Sequence, residues 1–195
     1  MNFARRWFYE QIANWSVVLR KPEIAFDYWQ KMLDDNPNDA QVLAMVAHQK
    51  ALENKESEAV AIYERVLAIN PEDYGSAFNY AFLVQKTGDH PSAIKSFKRT
   101  LEVNPKLDRA WFGQGLSHVA LGDDAAAIEC FKKTNKLQPM SPHGYYELAK
   151  AQFRTQDANG CEKTMRKVKE FDPKVAAQLE DETGIRIGVD RWWVK

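Results

Sequence analysis

The sequence has no excess of charge of either sign. Its 195 residues include 27 Lys and Arg and 27 Asp and Glu, so the formal net charge is +0. A neutral chain lacks the broad positive field that non-specific nucleic-acid binding needs. It also lacks the polybasic block that is typical of anionic-lipid binding. The charge balance therefore predicts no nucleic-acid partner.

Long apolar runs and cysteines are also scarce. The longest unbroken apolar run covers residues 42–47, whereas a membrane span needs roughly 20 apolar residues, so we expect no span. The first residues contain no apolar segment typical of a signal peptide. The two cysteines, Cys130 and Cys161, are too few for a disulfide framework, so a reducing compartment is expected. Together these features predict a cytoplasmic protein.

Prolines recur along the chain in one register. Five of the eight prolines follow one another at intervals of 34 residues: Pro37, Pro71, Pro105, Pro139 and Pro173. Twelve residues before each proline stands a small side chain: Ala25, Ala59, Ala93, Ala127 and Cys161. Eight residues before each proline stands a large apolar one: Trp29, Tyr63, Phe97, Phe131 and Met165. Equal spacing of several columns predicts internal repeats of one structural unit.

Each repeat shows two stretches with helical spacing of apolar residues. Small residues let two helices approach closely where they cross, and a large neighbour then fills the space beside them. A proline just past a helix prevents its continuation. Asp39, Asp73 and Ser141 are suitable N-caps for the first helices of repeats two, three and five. The pattern predicts tandem helix pairs.

One repeat carries a recognisable signature. Trp111, the pair Gln114-Gly115, and His118 are followed by Ala127-x3-Phe131 and then by Pro139. This series resembles the signature of the tetratricopeptide repeat (TPR) family. The resemblance implies an all-α fold, an α-solenoid. Its form is a right-handed superhelix of five tandem helix pairs with a C-terminal capping helix.

The same register predicts the organisation of the chain. The five repeats are assigned to residues 6–39, 40–73, 74–107, 108–141 and 142–175. The capping helix is assigned to residues 176–184 and a C-terminal tail to residues 185–195. Repeat one departs from the pattern through the extra aromatic residues Trp7, Phe8 and Trp15. Terminal repeats are expected to be atypical, because they have a neighbour on one side only.

Enzyme signatures are missing from the sequence. It contains no P-loop, no H-E-x-x-H, no C-x-x-C and no G-x-S-x-G motif. The four histidines fall in four different repeats without metal-ligand spacing. Gly113-x-Gly115 is interpreted as a point of close helix packing rather than as a nucleotide loop. We therefore expect a non-catalytic protein with no cofactor and no metal.

The resemblance implies that the first helix of each repeat lines a concave groove in which ligands lie. Those helices carry aromatic residues in repeats three to five, which predicts an apolar stripe that binds a partner segment. The opposing interpretation is that these rings pack between neighbouring first helices. The predicted groove residues, with polar groups at the edge, are Phe78, Asn79, Phe82, Arg109, Phe112, Leu116, Tyr146, Lys150 and Phe153.

Some members of the family bind carboxyl termini through a clamp of Lys, Asn and Arg. Asn79 and Arg109 occupy two positions of such a clamp. Ala44, His48 and Gly113 stand where Lys, Asn and Arg are required. We therefore predict no carboxylate clamp.

The tail contains two adjacent tryptophans, Trp192 and Trp193. Three interpretations remain open for them: packing on the last helix, docking into a neighbouring molecule, or insertion into a membrane interface. The predicted function is a scaffold or adaptor that binds a protein or peptide segment. The alternatives are self-association through the Trp192-Trp193 tail, which would give a homo-oligomer, and a chaperone for secreted substrates.

Overall fold

The computed structural model describes residues 1–193, which contain eleven α-helices and no strand. In chain order the helices are α1 Phe3–Val18, α2 Pro22–Asp35, α3 Ala40–Leu52, α4 Glu56–Ile69, α5 Tyr74–Lys86, α6 His90–Val103, α7 Asp108–Ala120, α8 Asp124–Leu137, α9 Pro142–Arg154, α10 Ala158–Lys169 and α11 Pro173–Thr183. The all-α prediction is confirmed. Val194 and Lys195, the last two residues of the predicted tail, lie outside the described residues.

Local chemistry sets the helix ends. The Asp39 side chain accepts a hydrogen bond from the backbone N–H of Val42 at 3.3 Å and caps α3. Asp73 caps α5 in the same way through Ser76, at 3.1 Å. Ser141 stands at the N-cap of α9 but makes no capping bond. Pro142 marks that start instead, because its fixed φ suits the first helical turn.

The first of two compact units comprises residues 1–87 and contains α1 to α5. Its core contains small residues such as Ala13 and Ala25, which pack with Trp29 and Met32 of α2 and with Val42 of α3. A second cluster joins α3, α4 and α5: Ala47, Ala59, Tyr63 and Leu83. Large side chains of second helices thus fill the space beside small residues, as the columns predict.

The second unit comprises residues 88–195 and contains α6 to α11. Here glycine takes the role of the small residue. A Cβ atom on Gly115 of α7 would lie 2.5 Å from the Phe131 ring of α8. Phe131 is fully buried and packs with Ala127 and Leu148. The interpretation of Gly113-x-Gly115 as a packing site is therefore confirmed.

Residues 185–191 pack against α11. Glu180 Oε1 accepts hydrogen bonds from the backbone N–H groups of Ile187, Gly188 and Val189, at 2.7, 2.9 and 3.3 Å. Gly188 has φ 72°, the left-handed conformation that lets successive N–H groups converge on one oxygen. Ile187 is buried in the adjoining core cluster. The tail therefore docks on its own last helix up to this point.

Opposing effects set the acidity of Glu180. Burial of the carboxyl group raises its pKa. The three backbone N–H donors and the Arg191 guanidinium lower the pKa more strongly, so the net pKa is below the ordinary value of 4.5. The ionised form therefore holds the tail.

We expect substitution of Gly115 by Ala to reduce the free energy of unfolding, because the new methyl group collides with the Phe131 ring. The collision costs about 1–3 kcal/mol, the helix propensity of Ala offsets about 1 kcal/mol of it, and the net loss is up to about 2 kcal/mol. The control is Gly75→Ala in α5, where the nearest atom to the new Cβ is 3.3 Å away. Denaturant unfolding measures both, and equal stability of the two variants would contradict the close approach.

The docked tail should resist acid. Since the folded pKa of Glu180 is lowered, its contribution is fully present above 4.5 and is lost as the pH falls through the lowered pKa. NMR shifts of the amides of Ile187, Gly188 and Val189 should therefore titrate below pH 4.5. In Glu180→Gln this pH dependence should disappear. A midpoint above the ordinary glutamate value would show that burial dominates instead.

Candidate functional site

An open cavity of about 510 Å³ lies among the first helices α1, α3 and α5 in residues 1–87. We call it the α1–α3–α5 cavity. Its lining residues are Glu10, Asn14, Gln41, Ala44, Met45, His48, Tyr63, Asp73, Gly75, Ser76 and Asn79. Most of these are neutral groups that can donate or accept hydrogen bonds, and Ala44 and Met45 supply apolar surface. Such a lining suits an uncharged, extended backbone.

Tyr63, which is buried, and Asn79, which is half-buried, line the cavity side by side. Asn79 Nδ2 donates a hydrogen bond to the Tyr63 hydroxyl oxygen at 3.1 Å. Burial raises the pKa of Tyr63 to about 12, and the hydrogen bond from Asn79 offsets only part of this rise. The hydroxyl therefore stays neutral and keeps its own proton for a ligand.

The charged residues of the cavity already have partners. Glu10 accepts a hydrogen bond from Arg6 at 3.0 Å. Both carboxylate oxygens of Asp73 bind Ser76, one at its backbone N–H and one at its hydroxyl. No cation is among the lining residues that the structure describes. The cavity therefore lacks the Lys and Arg side chains of a carboxylate clamp.

The predicted groove residues of α5 are only partly in this cavity. Asn79 lines it, while Phe78 and Phe82 do not. Phe78 is half-buried, and Phe82 is exposed. The sequence-based prediction chose aromatic residues of first helices and did not include Tyr63 and Gln41, which line the cavity. Tyr63 belongs to a second helix and to the column of buried large residues, so only its hydroxyl group signals a second role.

In residues 88–193, two predicted groove residues take part in the core. The rings of Phe112 and Phe131 have their centroids 5.8 Å apart. Leu116 packs against the same cluster. Both Phe112 and Leu116 are half-buried, so each has one side in the core and one side outside it. Phe153 and Arg109 are exposed.

Tyr146 and Lys150 belong to a polar cluster that links α9 to α11. The Tyr146 hydroxyl donates to Glu182 at 2.7 Å and accepts from Gln178 at 3.2 Å. Lys150 Nζ donates to the same hydroxyl oxygen at 3.3 Å and lies 4.8 Å from the Tyr146 ring centroid. This part of the predicted stripe is therefore polar.

The same cluster shifts the pKa of its members. Burial, followed by the hydrogen bond to Glu182, raises the pKa of Tyr146. The hydrogen bond to Tyr146 raises the pKa of Lys150. The Lys150 side chain therefore stays protonated at neutral pH.

The cysteine thiols are poor nucleophiles. Burial raises the pKa of Cys130 to about 11, and it also raises the pKa of Cys161. Within residues 1–193, no three His, Cys, Asp or Glu side chains are grouped so that they could hold a metal ion. None of the helices in that range has the length and apolar character to cross a membrane.

Comparison with known proteins identifies the repeat. The profile of the tetratricopeptide repeat family matches residues 83–142. No curated protein sequence matches the chain.

Several solved structures share the fold. MamA residues 41 to the end from Desulfovibrio magneticus RS-1 superpose with a TM-score of 0.77 and 20% identity, over 86% of this chain and 95% of that one. YrrB, described as a TPR protein with an unusual peptide-binding site, gives 0.80 and 16% identity over 89% and 90% of the two chains. PilF of Pseudomonas aeruginosa gives 0.71 and 18% over 92% and 86%. The predicted solenoid of helix pairs with a terminal cap is confirmed at the level of the fold.

Proposed function

We propose that the chain, whose residues 83–142 match the tetratricopeptide-repeat profile, is a non-catalytic adaptor that binds an extended segment of a partner protein along its first helices. Its fold is that of a general protein-interaction scaffold. The α1–α3–α5 cavity is the observation that supports the finer proposal. Asn14, Gln41, His48 and Asn79 bring hydrogen-bonding groups together there.

The composition of the cavity favours an extended peptide over other ligands. Amide and imidazole groups can pair with the polar groups of an extended backbone. Met45, with its flexible thioether side chain, can accept apolar side chains of varied shape. The relative YrrB, with its peptide-binding site, supports the same ligand class. The formal net charge of +0 favours a protein partner over a nucleic acid.

The predicted groove residues of each unit, taken separately, remain part of the proposal. Phe82 and Phe153, each within its own unit, are exposed and can anchor apolar side chains of the partner. The half-buried rings of Phe78 and Phe112 offer less surface. A chaperone for secreted substrates receives less support, because the α1–α3–α5 cavity is largely polar. The predicted cytoplasmic location fits an adaptor and also stays a prediction.

The adaptor proposal is tested by filling the cavity. Ala44 lies in its wall, so the side chain introduced by Ala44→Arg should occupy the space that a peptide needs. Peptides selected on the intact chain from a random display library should bind Ala44→Arg roughly tenfold or more weakly, a loss of about 1.4 kcal/mol. Fluorescence polarisation with labelled peptide measures the affinity.

The matched control is Ala61→Arg, because Ala61 is exposed on α4 and does not line the cavity. This variant should bind the selected peptides as the unchanged chain does. Circular dichroism checks that both variants are folded. Undiminished binding by a folded Ala44→Arg, or failure of the intact chain to select any peptide, would exclude the cavity as the binding site.

Self-association through the tail is the second candidate, favoured by the exposure of Trp192. This side chain is 75% exposed, although residues 185–191 are held on α11. Its ring centroid lies 5.6 Å from that of Trp193. Trp193 is half-buried, so Trp192 is the exposed ring of the pair, and an exposed tryptophan is suited to an interface.

Sedimentation equilibrium of the intact chain and of Trp192→Ala tests this second function. We expect the intact chain to associate as its concentration rises and Trp192→Ala to remain monomeric. Met140→Ala serves as the control, because Met140 is also highly exposed, at 68%. A monomeric intact chain, or unchanged association of Trp192→Ala, would count against this function.

A further inference from the structure

Helix α1 exposes large apolar side chains near both of its ends. Six residues, each 54–85% exposed, form what we call the α1 aromatic face: Phe3, Trp7, Phe8, Trp15, Val18 and Leu19. Leu19 is the C-cap residue of the helix, and the other five lie within it. Exposed apolar patches of this kind mark interaction surfaces in soluble chains.

The α1 aromatic face is free of charge over almost its whole length. Arg5 is the only charged residue among the exposed positions of α1. The two other charged residues of the helix, Arg6 and Glu10, are half-buried and form an ion pair with each other at 3.0 Å. Arg6 also pairs with Asp39, the N-cap residue of α3. The charges of Arg6 and Glu10 thus serve the packing of α1, and Arg5 is the one charge on its exposed side.

The repeat register argues against a helix as the occupant of this face. The positions equivalent to Phe8 in the four later repeats carry small or medium-sized residues, all buried: Val42, Ser76, Ala110 and Gly144. The positions equivalent to Trp15 behave in the same way: Gln49, Leu83, Ser117 and Ala151. Helices pack at a distance of about 8–10 Å only where side chains permit it. The large side chains of Phe8 and Trp15 would prevent another helix from approaching α1 as closely as neighbouring repeats approach each other.

The distribution of cations argues against a second copy of the chain. Arg5 lies in the first turn of α1, and Arg20 and Lys21 directly follow its end. All three are exposed, and none forms an ion pair within residues 1–193. An antiparallel two-fold pairing of α1 would bring Arg5 beside Arg20 of the copy, and a parallel pairing would set identical cations side by side. Both arrangements are repulsive.

We propose that the α1 aromatic face docks in the plane of a lipid bilayer, at the level of the headgroups. Trp and Phe side chains suit this depth, and a helix with one apolar face lies parallel to the membrane surface. The cations at the two ends of α1 match anionic headgroups, and a fluid surface accommodates large rings of irregular shape. Without a polybasic block, burial of the aromatic side chains supplies most of the affinity, and Arg5, Arg20 and Lys21 add to it.

Co-sedimentation with vesicles tests the proposal. The probes are vesicles of phosphatidylcholine alone and vesicles in which about a third of the lipid is phosphatidylglycerol. The intact chain should bind both, and the anionic vesicles more tightly. The double variant Trp7→Ser and Trp15→Ser should lose roughly tenfold or more of its partition coefficient. Trp192→Ser, which removes an exposed tryptophan from the tail, should bind unchanged.

A second arm separates charge from aromatic burial. The triple variant Arg5→Gln, Arg20→Gln and Lys21→Gln should bind phosphatidylcholine vesicles as the intact chain does and should lose the preference for anionic vesicles. A conservative pair, Trp7→Phe and Trp15→Phe, keeps the apolar face and should still bind. Vesicles of brominated phosphatidylcholine should quench the tryptophan emission of the intact chain more strongly than that of this pair, because the quenched indoles are those at positions 7 and 15.

Three outcomes would overturn the proposal. The first is that the intact chain does not sediment with either kind of vesicle. The second is equal vesicle binding by the intact chain and by a double serine variant that circular dichroism shows to be folded. The third is a dimer of the intact chain that ignores vesicles and becomes a monomer in the double serine variant, which would assign the α1 aromatic face to a second copy.

Discussion

Close approach between a small residue on a first helix and a large ring on a second helix is the contact on which the fold depends. Gly115 and Phe131 show it most clearly, since a single Cβ atom would fill the space between them. Tyr63 and Met165 are the equivalent large residues in other repeats, and both are fully buried. Because this contact recurs every 34 residues, each helix pair stacks in the same way on its neighbour within a unit.

The same contact leaves the first helices with a free side. Once the second-helix rings fill the core, the polar residues of α1, α3 and α5 surround a cavity. We propose this cavity as the ligand site, since it presents several hydrogen-bonding side chains and its carboxylates already accept hydrogen bonds from Arg6 and Ser76. In residues 88–193 the corresponding surface is divided. Phe112 shares its ring with the core, and Tyr146 is bound to Glu182.

The fold could be predicted almost completely, because it depends on columns of small and large residues that the sequence displays at one interval. Contacts that occur only once in the chain could not be predicted from the repeat pattern. No periodicity predicts that Glu180 binds three successive backbone amides of the tail, or that Trp192 stays exposed beyond them. Phe112 also shows why the exposure of the aromatic stripe could not be predicted. Helical spacing predicts which face of the helix carries a ring, but it does not predict whether that ring packs in the core or contacts solvent. The sequence shows that the extra aromatic residues of repeat one depart from the repeat pattern, but only the structure shows that their side chains are exposed.

Binding of a peptide-sized ligand against the first helices is the central claim to be tested. The most direct measurement is the change in backbone amide chemical shifts when a selected peptide is added to the isotope-labelled chain. We expect the largest changes at Gln41, His48 and Asn79, which line the α1–α3–α5 cavity. Changes confined to second helices such as α2 and α4, with none at those three residues, would contradict it.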